Sequence, residues 1–374
     1  MNATVKDIIK AMQTIAPSSY AEEWDNSGLQ VGEKGWVVKK IWVALDPTEK
    51  IVEAACRKDI NLLITHHPLI FKPLKSIDLS TTAGSIINIA LCRHMAIFAA
   101  HTNLDKATGG INDILAGRIG LKNLKVLGNP VEMERFKLVV YVPDEHKKRI
   151  LEALFAAGEG RLGDYTCCTF RNCGKGTFKP GPASKPFTGK IGEISNVDES
   201  RIELIVEKDR LKPIIANIKK HHPYETPAYD IYPLLPSGTE PPEGLGRTGE
   251  TGKRISLLSL AQSIKNELRL KYVKIAGSPD LIVSRAALCS GSGSSLMNAF
   301  LKSEAEAYIS GDLGYHDART VEDAGRGLID IGHFASEHII VKNLAARLRK
   351  VLKGAGFNVE VKGYHMEAEP FTII

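Results

Sequence analysis

Three short segments carry the residues best suited to chemistry: Thr65-His66-His67-Pro68, His101-Thr102-Asn103-Leu104-Asp105 and Gly332-His333-Phe334-Ala335-Ser336-Glu337. They offer three imidazoles (His66, His67, His333) and two carboxylates (Asp105, Glu337). His333 and Glu337 are four residues apart, so on a helix they share one face, one turn apart. His66 and His67 would point apart in a regular strand. Pro68 ends the strand there, which lets both rings turn toward one cavity. Three histidines and two carboxylates exceed the three protein ligands of a usual catalytic zinc. They fit a two-metal site, with cations roughly 3.5–4 Å apart. Mixed nitrogen and oxygen donors suit zinc, manganese, iron or cobalt better than calcium. A His-His pair also occurs as a hydrogen-bonded strand end, and a helical His-x3-Glu as a surface pair. Spacing alone leaves these alternatives open.

Other residues are candidates for supporting roles. His101 and His316 could orient ligands or carry protons, and His316 could equally be a solvated helix residue. Asp25, in the Trp24 to Gly32 loop, either faces the site or forms a turn. Asp312 is an outer acceptor or a helix N-cap. Ser290-Gly-Ser-Gly-Ser-Ser295 reads as a strand-to-helix turn whose backbone N–H groups could hold a phosphate. It lacks the lysine of a P-loop, and a plain tight turn explains it as well. Cys167 and Cys168 would face opposite sides of a strand, so with Cys173 they read as packing residues.

The elements that must position these groups alternate between helix and strand. Helices are expected at Val5 to Ile15, Glu49 to Lys58, Ala83 to His94 and Asp113 to Ile119. Strands are expected at Lys40 to Leu45, Asn61 to Thr65 and Met95 to Ala100. This order implies a largely parallel, buried sheet, whose ligands lie outside the carboxyl ends of the strands. The rhythm changes from residue 131. Strands at Phe136 to Val142, Asp164 to Thr169, Arg201 to Val206 and Ala228 to Pro233 alternate with helices at Asp144 to Ala157 and Asp209 to His221. A Gly/Pro-rich stretch fills Gly174 to Gly189. The β-α-β, β-α-β order is ferredoxin-like. Its borders fall at Asn129-Pro130 and in Pro236 to Gly246, both linker-like. The first rhythm then resumes, with Gly327 to Ile331 a strand and Glu337 in a helix continuing to Leu352. The expected organisation is an α/β body of two lobes, 1–130 and 237–374, interrupted by an insert at 131–236.

Composition narrows the function classes. The 374 residues carry 49 Lys plus Arg against 43 Asp plus Glu, a net charge of +6. No basic run exceeds Lys147-Lys148-Arg149, whereas a dedicated nucleic-acid groove concentrates its charge. A nucleic-acid partner is therefore not expected. No apolar run approaches the ~20 residues that span a bilayer, so no membrane partner is expected either. Asp7 and Lys10 interrupt any signal-peptide core. Six scattered cysteines without a CxxC pair indicate a reducing compartment, and a cytoplasmic location is expected.

A resemblance adds to this reading. The stretches Trp24-Asp-Asn-Ser-Gly-Leu-Gln-Val-Gly32, Leu63-Ile-Thr-His-His-Pro68, His101-Thr-Asn-Leu-Asp105, Ser310-Gly-Asp312 with Tyr315-His-Asp317, and Gly332-His-Phe-Ala-Ser-Glu337 resemble those of the Nif-three-like family, the type-two GTP cyclohydrolase I homologues. The resemblance implies a dinuclear metal site with His66, His67, Asp105, His333 and Glu337 as ligands to two divalent ions. It also implies a toroidal homohexamer with the sites facing an inner cavity. The insert resembles the PII-like or CutA-like module of longer members, its marker being His222-Pro-Tyr-Glu-Thr-Pro227. That segment reads as a rigid turn or as a small-molecule or lid site.

The expected function is that of a metal-dependent hydrolase of a small, nucleotide-like substrate, with His101 or His316 as proton carrier. The family's label implies GTP as the substrate, its imidazole ring opened with release of formate. The alternative is a non-enzymatic metal-loaded scaffold or regulator whose insert senses a small molecule.

Overall fold

The computed structural model describes residues 2–128, 135–162, 165–234 and 244–372. The chain forms two compact units, Met1–Val131 with Pro241–Ile374, and Glu132–Glu240. The expected linker residues Asn129, Pro130, Pro236, Pro241 and Pro242 lie outside the described residues.

The body is built on two sheets. The first has five strands in the order Glu360–Gly363, Lys40–Ala44, Leu62–Thr65, Ala96–Ala99, Gly28–Val31. The first three pairings are parallel, and the edge strand Gly28–Val31 is antiparallel. Every residue of Leu62–Thr65 and Ala96–Ala99 is buried. That is what a parallel strand covered on both faces requires, and why both read as unbroken apolar runs. Ile51, Val52 and Ala55 of the helix Glu49–Arg57 and Ile86, Ile87 and Ala90 of Thr82–Cys92 share a core with Leu63 and Ile97. At the carboxyl ends, the His66 N–H donates to Ala44 O (3.2 Å), and the His67 N–H to Leu45 O (3.0 Å). The Ala100 N–H likewise donates to Thr65 O (2.8 Å). The ladder thus extends into the histidine segments and fixes where they leave the sheet.

The second sheet has six strands: Lys274–Ala276, Gly327–Asp330, Ala307–Gly311, Ile282–Ser292, Arg247–Ser256 and Lys122–Val126. Its three inner strands from Gly327–Asp330 to Ile282–Ser292 pair in parallel, and the flanking pairings are antiparallel. Lys122–Val126, which precedes the insert, pairs with Arg247–Ser256, which follows it. Glu360–Gly363 returns to pair with Lys40–Ala44. Neither half of the body completes a sheet alone.

The helix expected to run through Glu337 to Leu352 is two helices, His333–Glu337 and Ile339–Gly354, separated at His338. Gly332, at φ +83, makes the turn from the strand end into the first of them.

The insert has four antiparallel strands in the order Tyr229–Leu234, Arg135–Pro143, Ser195–Glu207, Phe170–Phe178. With the helices Lys147–Ala156 and Lys208–His221 this is the ferredoxin-like βαββαβ arrangement. Leu138, Val140 and Val142 alternate along one face and pack on Ile150, Leu154, Ile214 and Ile218 of the helices. The second strand begins at Phe170, later than expected, and Asp164 lies outside the described residues. It runs through Gly174 and Gly176, which the sequence reading placed in a loop. Gly176 lies beside the Glu199 carboxylate of the neighbouring strand, and both glycines are strand residues rather than turn residues. Among the described residues, no helix is long and apolar enough to cross a membrane.

Candidate metal centre

Four histidines converge in the body, and each is tied back by the same nitrogen. His66 is buried, and its Nδ1–H donates to Ala100 O at 2.9 Å. His67 Nδ1 meets Asp46 Oδ1 at 2.7 Å, and His101 Nδ1 meets Asp25 Oδ1 at 2.8 Å. His333 Nδ1 meets Asp312 Oδ2 at 2.8 Å. An acceptor on Nδ1 fixes the tautomer and leaves Nε2 as a donor atom, the arrangement that orients imidazoles around metals.

The free nitrogens face two carboxylates. His66 Nε2 lies 3.6 Å from Asp105 Oδ1 and 3.6 Å from Glu337 Oε1. Glu337 Oε2 lies 3.0 Å from His67 Nε2 and 2.9 Å from His333 Nε2, while those two nitrogens are 3.4 Å apart. Donor atoms of His66, His67 and His101 all fall within 4.8 Å of one another, as do those of His67, His333 and Glu337. The five residues expected to share one cluster are therefore brought together, with His101 added. His66 Nε2, Asp105 Oδ1 and Glu337 Oε2 are buried, yet none has a hydrogen-bond partner among the described residues. The close approaches at Glu337 lack hydrogen-bond geometry, so these atoms aim at shared space rather than at each other. Buried polar atoms without partners are costly. A divalent cation among them removes that cost, so the donor set fits a metal.

The charges reinforce this fit. Burial opposes ionisation of Glu337, but His66, His333 and His67 hold its carboxyl well below the usual range. Burial also disfavours the His67 cation, but Asp46 and Glu337 outweigh it and push its pKa up to about 10. Glu337, against burial and with help from Asp312, raises His333 to about 9. Asp105 is pushed up, first by burial and then by the Glu337 charge, against the pull of His66. Without a cation the cluster therefore holds protons where a metal would supply positive charge.

The local sequence explains how each group is placed. Asp105 lies on the short helix Thr102–Lys106, which begins directly after His101. Asp25 is wholly shielded and also accepts from Thr102 Oγ1 (2.6 Å) and Ser27 Oγ (2.7 Å). Burial opposes its ionisation, yet the bonds from His101, Thr102 and Ser27 hold its carboxyl well below the usual range. The Asp25 of the loop reading thus faces the site, and Asp312 is an outer acceptor rather than a helix cap.

The Ser290 to Ser295 turn packs against the cluster. Three of its N–H groups are taken within the fold: Ser290 N by Asn112 Oδ1 (2.7 Å), Gly291 N by Ser336 Oγ (2.8 Å) and Gly293 N by Ser310 Oγ (3.0 Å). Gly291, at φ +60, lies so close to Glu337 that a Cβ would overlap Oε1. The glycine makes room for the carboxylate.

His316 is exposed on the helix Tyr315–Asp323, edge-on to Tyr315, and belongs to neither of the two groups of close donor atoms. Sequence reasoning missed Asp46, although an Asp at the carboxyl end of a strand beside the His-His segment was a usable signal. It also missed Glu367, which accepts from the amides of Leu45 (2.9 Å) and Asp46 (3.0 Å). A lone glutamate near the end of the chain gave no sign of that role.

Comparison with known proteins supplies the family. The model of Duf34/NIF3 (NGG1p interacting factor 3) matches residues 3–370. The chain is 36% identical over 372 residues to the GTP cyclohydrolase 1 type 2 homolog of Halalkalibacterium halodurans, covering 100% of this chain and 99% of that one. It is also 36% identical to the protein of the same name from Bacillus subtilis, covering 99% and 98% of the two chains. The crystal structure of a Bacillus cereus protein related to NIF3 superposes with a TM-score of 0.78 at 34% identity, over 100% of both chains. The chain belongs to the Duf34/NIF3 family.

Proposed function

We propose that this protein is a dinuclear-metal hydrolase acting on a nucleotide-like substrate. The observation that carries the reading is the set of buried donor atoms on His66, Asp105 and Glu337 that lack a hydrogen-bond partner, faced by imidazoles whose other nitrogens are tied back. In this reading His66, His67, Asp105, His333 and Glu337 hold two divalent ions, zinc first, with iron, manganese or cobalt suited to the same donors. Bound there, the cations supply Lewis acidity and acidify a water toward neutral pKa. Glu337 turns one oxygen toward His66 and the other toward His67 and His333, so it would be one of the residues that hold the ions. His101 takes up a proton at Nε2, while Asp25 on Nδ1 fixes the ring and steadies its cation. The name shared by the relatives supports a nucleotide as substrate.

The same reading takes the insert as the PII-like or CutA-like module, the assembly as a homohexamer and the compartment as the cytoplasm. Light scattering on the purified protein tests the assembly.

The test of the function is metal titration into chelated protein, followed by assays of GTP ring opening and of phosphoester cleavage. Turnover is expected once two equivalents are bound, and is lost in His67→Ala. A fully loaded protein inert toward both substrate classes overturns the reading.

A further inference from the structure

Two large aromatic side chains stand in solvent beside the donor cluster. Trp24 is 59% exposed and Phe71 50% exposed. Their ring centroids are 5.8 Å apart with planes inclined at 51°, so the two rings touch and form a tilted wedge whose outer faces are exposed. Each stands nearly perpendicular to the His101 imidazole, at 6.0 Å and 77° for Trp24 and 6.3 Å and 72° for Phe71. Both rings therefore stand against the His101 imidazole, where they would flank a ligand held beside it.

The wedge is held rather than left to float. Asn26 Nδ2 donates to Ile70 O at 2.6 Å, the Ile70 N–H donates to Gln30 Oε1 at 3.1 Å, and Gln30 Nε2 donates back to Asn26 O at 2.6 Å. These bonds pin the loop that carries Trp24 to the loop that carries Phe71. Trp24 also directly precedes Asp25, the shielded carboxylate on His101 Nδ1. One anchor thus sets both the imidazole and the indole. Preorganised, exposed aromatic faces suit a flat ring, because stacking needs a rigid platform and is indifferent to the edge chemistry of the base. Lys72 and Lys75, exposed on the Phe71 loop, add positive charge for an anionic ligand.

We propose that Trp24 and Phe71 form a base-binding subsite that stacks the heteroaromatic ring of a nucleotide and presents its reacting part to the His66, His67, His101 cluster. The inference rests on the nucleotide-hydrolase reading for its substrate class. Both residues are positioning groups for the substrate.

The test compares GMP with ribose 5-phosphate, which lacks the base, on the full-length zinc-loaded protein, by calorimetry and tryptophan emission. GMP is expected to bind more tightly and to quench emission. Trp24→Ala and Phe71→Ala should each weaken GMP by about tenfold and leave ribose 5-phosphate unchanged. Trp24→Phe should keep most of the affinity and lose the quenching, since Trp36 and Trp42 remain as references. Equal affinity for the two probes overturns the proposal. So does GMP binding insensitive to both alanine variants, or failure of GMP, AMP, CMP and UMP alike to bind. A change of assembly mass in Trp24→Ala at fixed concentration also overturns it, because the rings would then pack against a second copy. A loaded protein that binds GMP through the rings yet neither opens the ring of GTP nor cleaves a phosphoester sinks the hydrolase reading and leaves the subsite standing. A hydrolase whose GMP affinity ignores both rings does the reverse.

Discussion

Glu367 accepts a hydrogen bond from the backbone N–H of Asp46 at 3.0 Å, across 321 positions of sequence. Asp46 in turn fixes His67 through Nδ1 at 2.7 Å. Glu367 therefore holds the backbone of the residue whose carboxylate orients His67. Glu367→Ala removes the acceptor for two amides, Leu45 and Asp46, at a cost of about 1–3 kcal/mol for the groups left unpaired. Metal affinity should fall about 10–100-fold, the usual effect of losing an outer support. Glu367→Gln keeps one carbonyl oxygen and should recover most of both. Competition titration with a chelating dye and thermal melts of the metal-free protein measure the two effects. Full metal affinity in Glu367→Ala would remove the link.

The raised histidines give the metal-free protein a specific pH response. His67 at about 10 and His333 at about 9 lie above the ordinary 6.5, so the folded state binds their protons more tightly than the unfolded one. Their contribution to stability is complete below pH 6.5 and is lost as pH rises through 9 to 10. Melting temperature in the presence of chelator should decline over that window. The loaded protein should not share this part of the decline, because bound metal displaces those protons, and its metal affinity should climb with pH. Parallel pH profiles with and without metal would contradict the assignment.

Gly291→Ala tests the fit of the turn around Glu337. The new methyl group meets Glu337 Oε1, and the positive φ disfavours any residue with a Cβ. Strain of this kind costs about 1–3 kcal/mol. Because relief comes from moving the carboxylate, metal stoichiometry by elemental analysis should fall together with the melting temperature. Gly293→Ala, two residues along the same turn, serves as the control. It crowds Tyr308 and Ser310 instead, and should lower stability with less effect on metal. Equal loss of metal in the two variants would mean that the turn acts through general stability and not through Glu337.

What the sequence disclosed follows from what periodicity can encode. Leu62–Thr65 and Ala96–Ala99 were legible because burial on both faces demands continuous apolar residues. The His333 and Glu337 spacing was legible because one helical turn relates them. Lys122–Val126 and Arg247–Ser256 were not, since their residues are largely polar and only pairing with neighbours makes them strands. The five-residue helix Thr102–Lys106 is too short for a 3.6-residue pattern, so the element that carries Asp105 was missed. The break at His338 was hidden because both flanking segments are helical. Asp46 and Glu367 act through contacts between distant segments, which no local window records.

His101 decides how the cluster divides its labour. One of its ring nitrogens stands with donor atoms of His66 and His67, which would admit it as a ligand, while its Nδ1 bond to the shielded Asp25 equips it to carry a proton. The proposed function assigns it the second role, so His101→Ala should retain two metal equivalents and lose turnover by about 10²–10⁴-fold, the usual contribution of a positioned acid or base. Asp25→Asn should follow in the same direction, because the amide can still contact Nδ1 but no longer steadies an imidazolium. Elemental analysis beside single-turnover assays separates the outcomes. A variant that loses one metal equivalent along with activity moves His101 into the ligand set, and the proton must then be sought on a group the substrate itself brings.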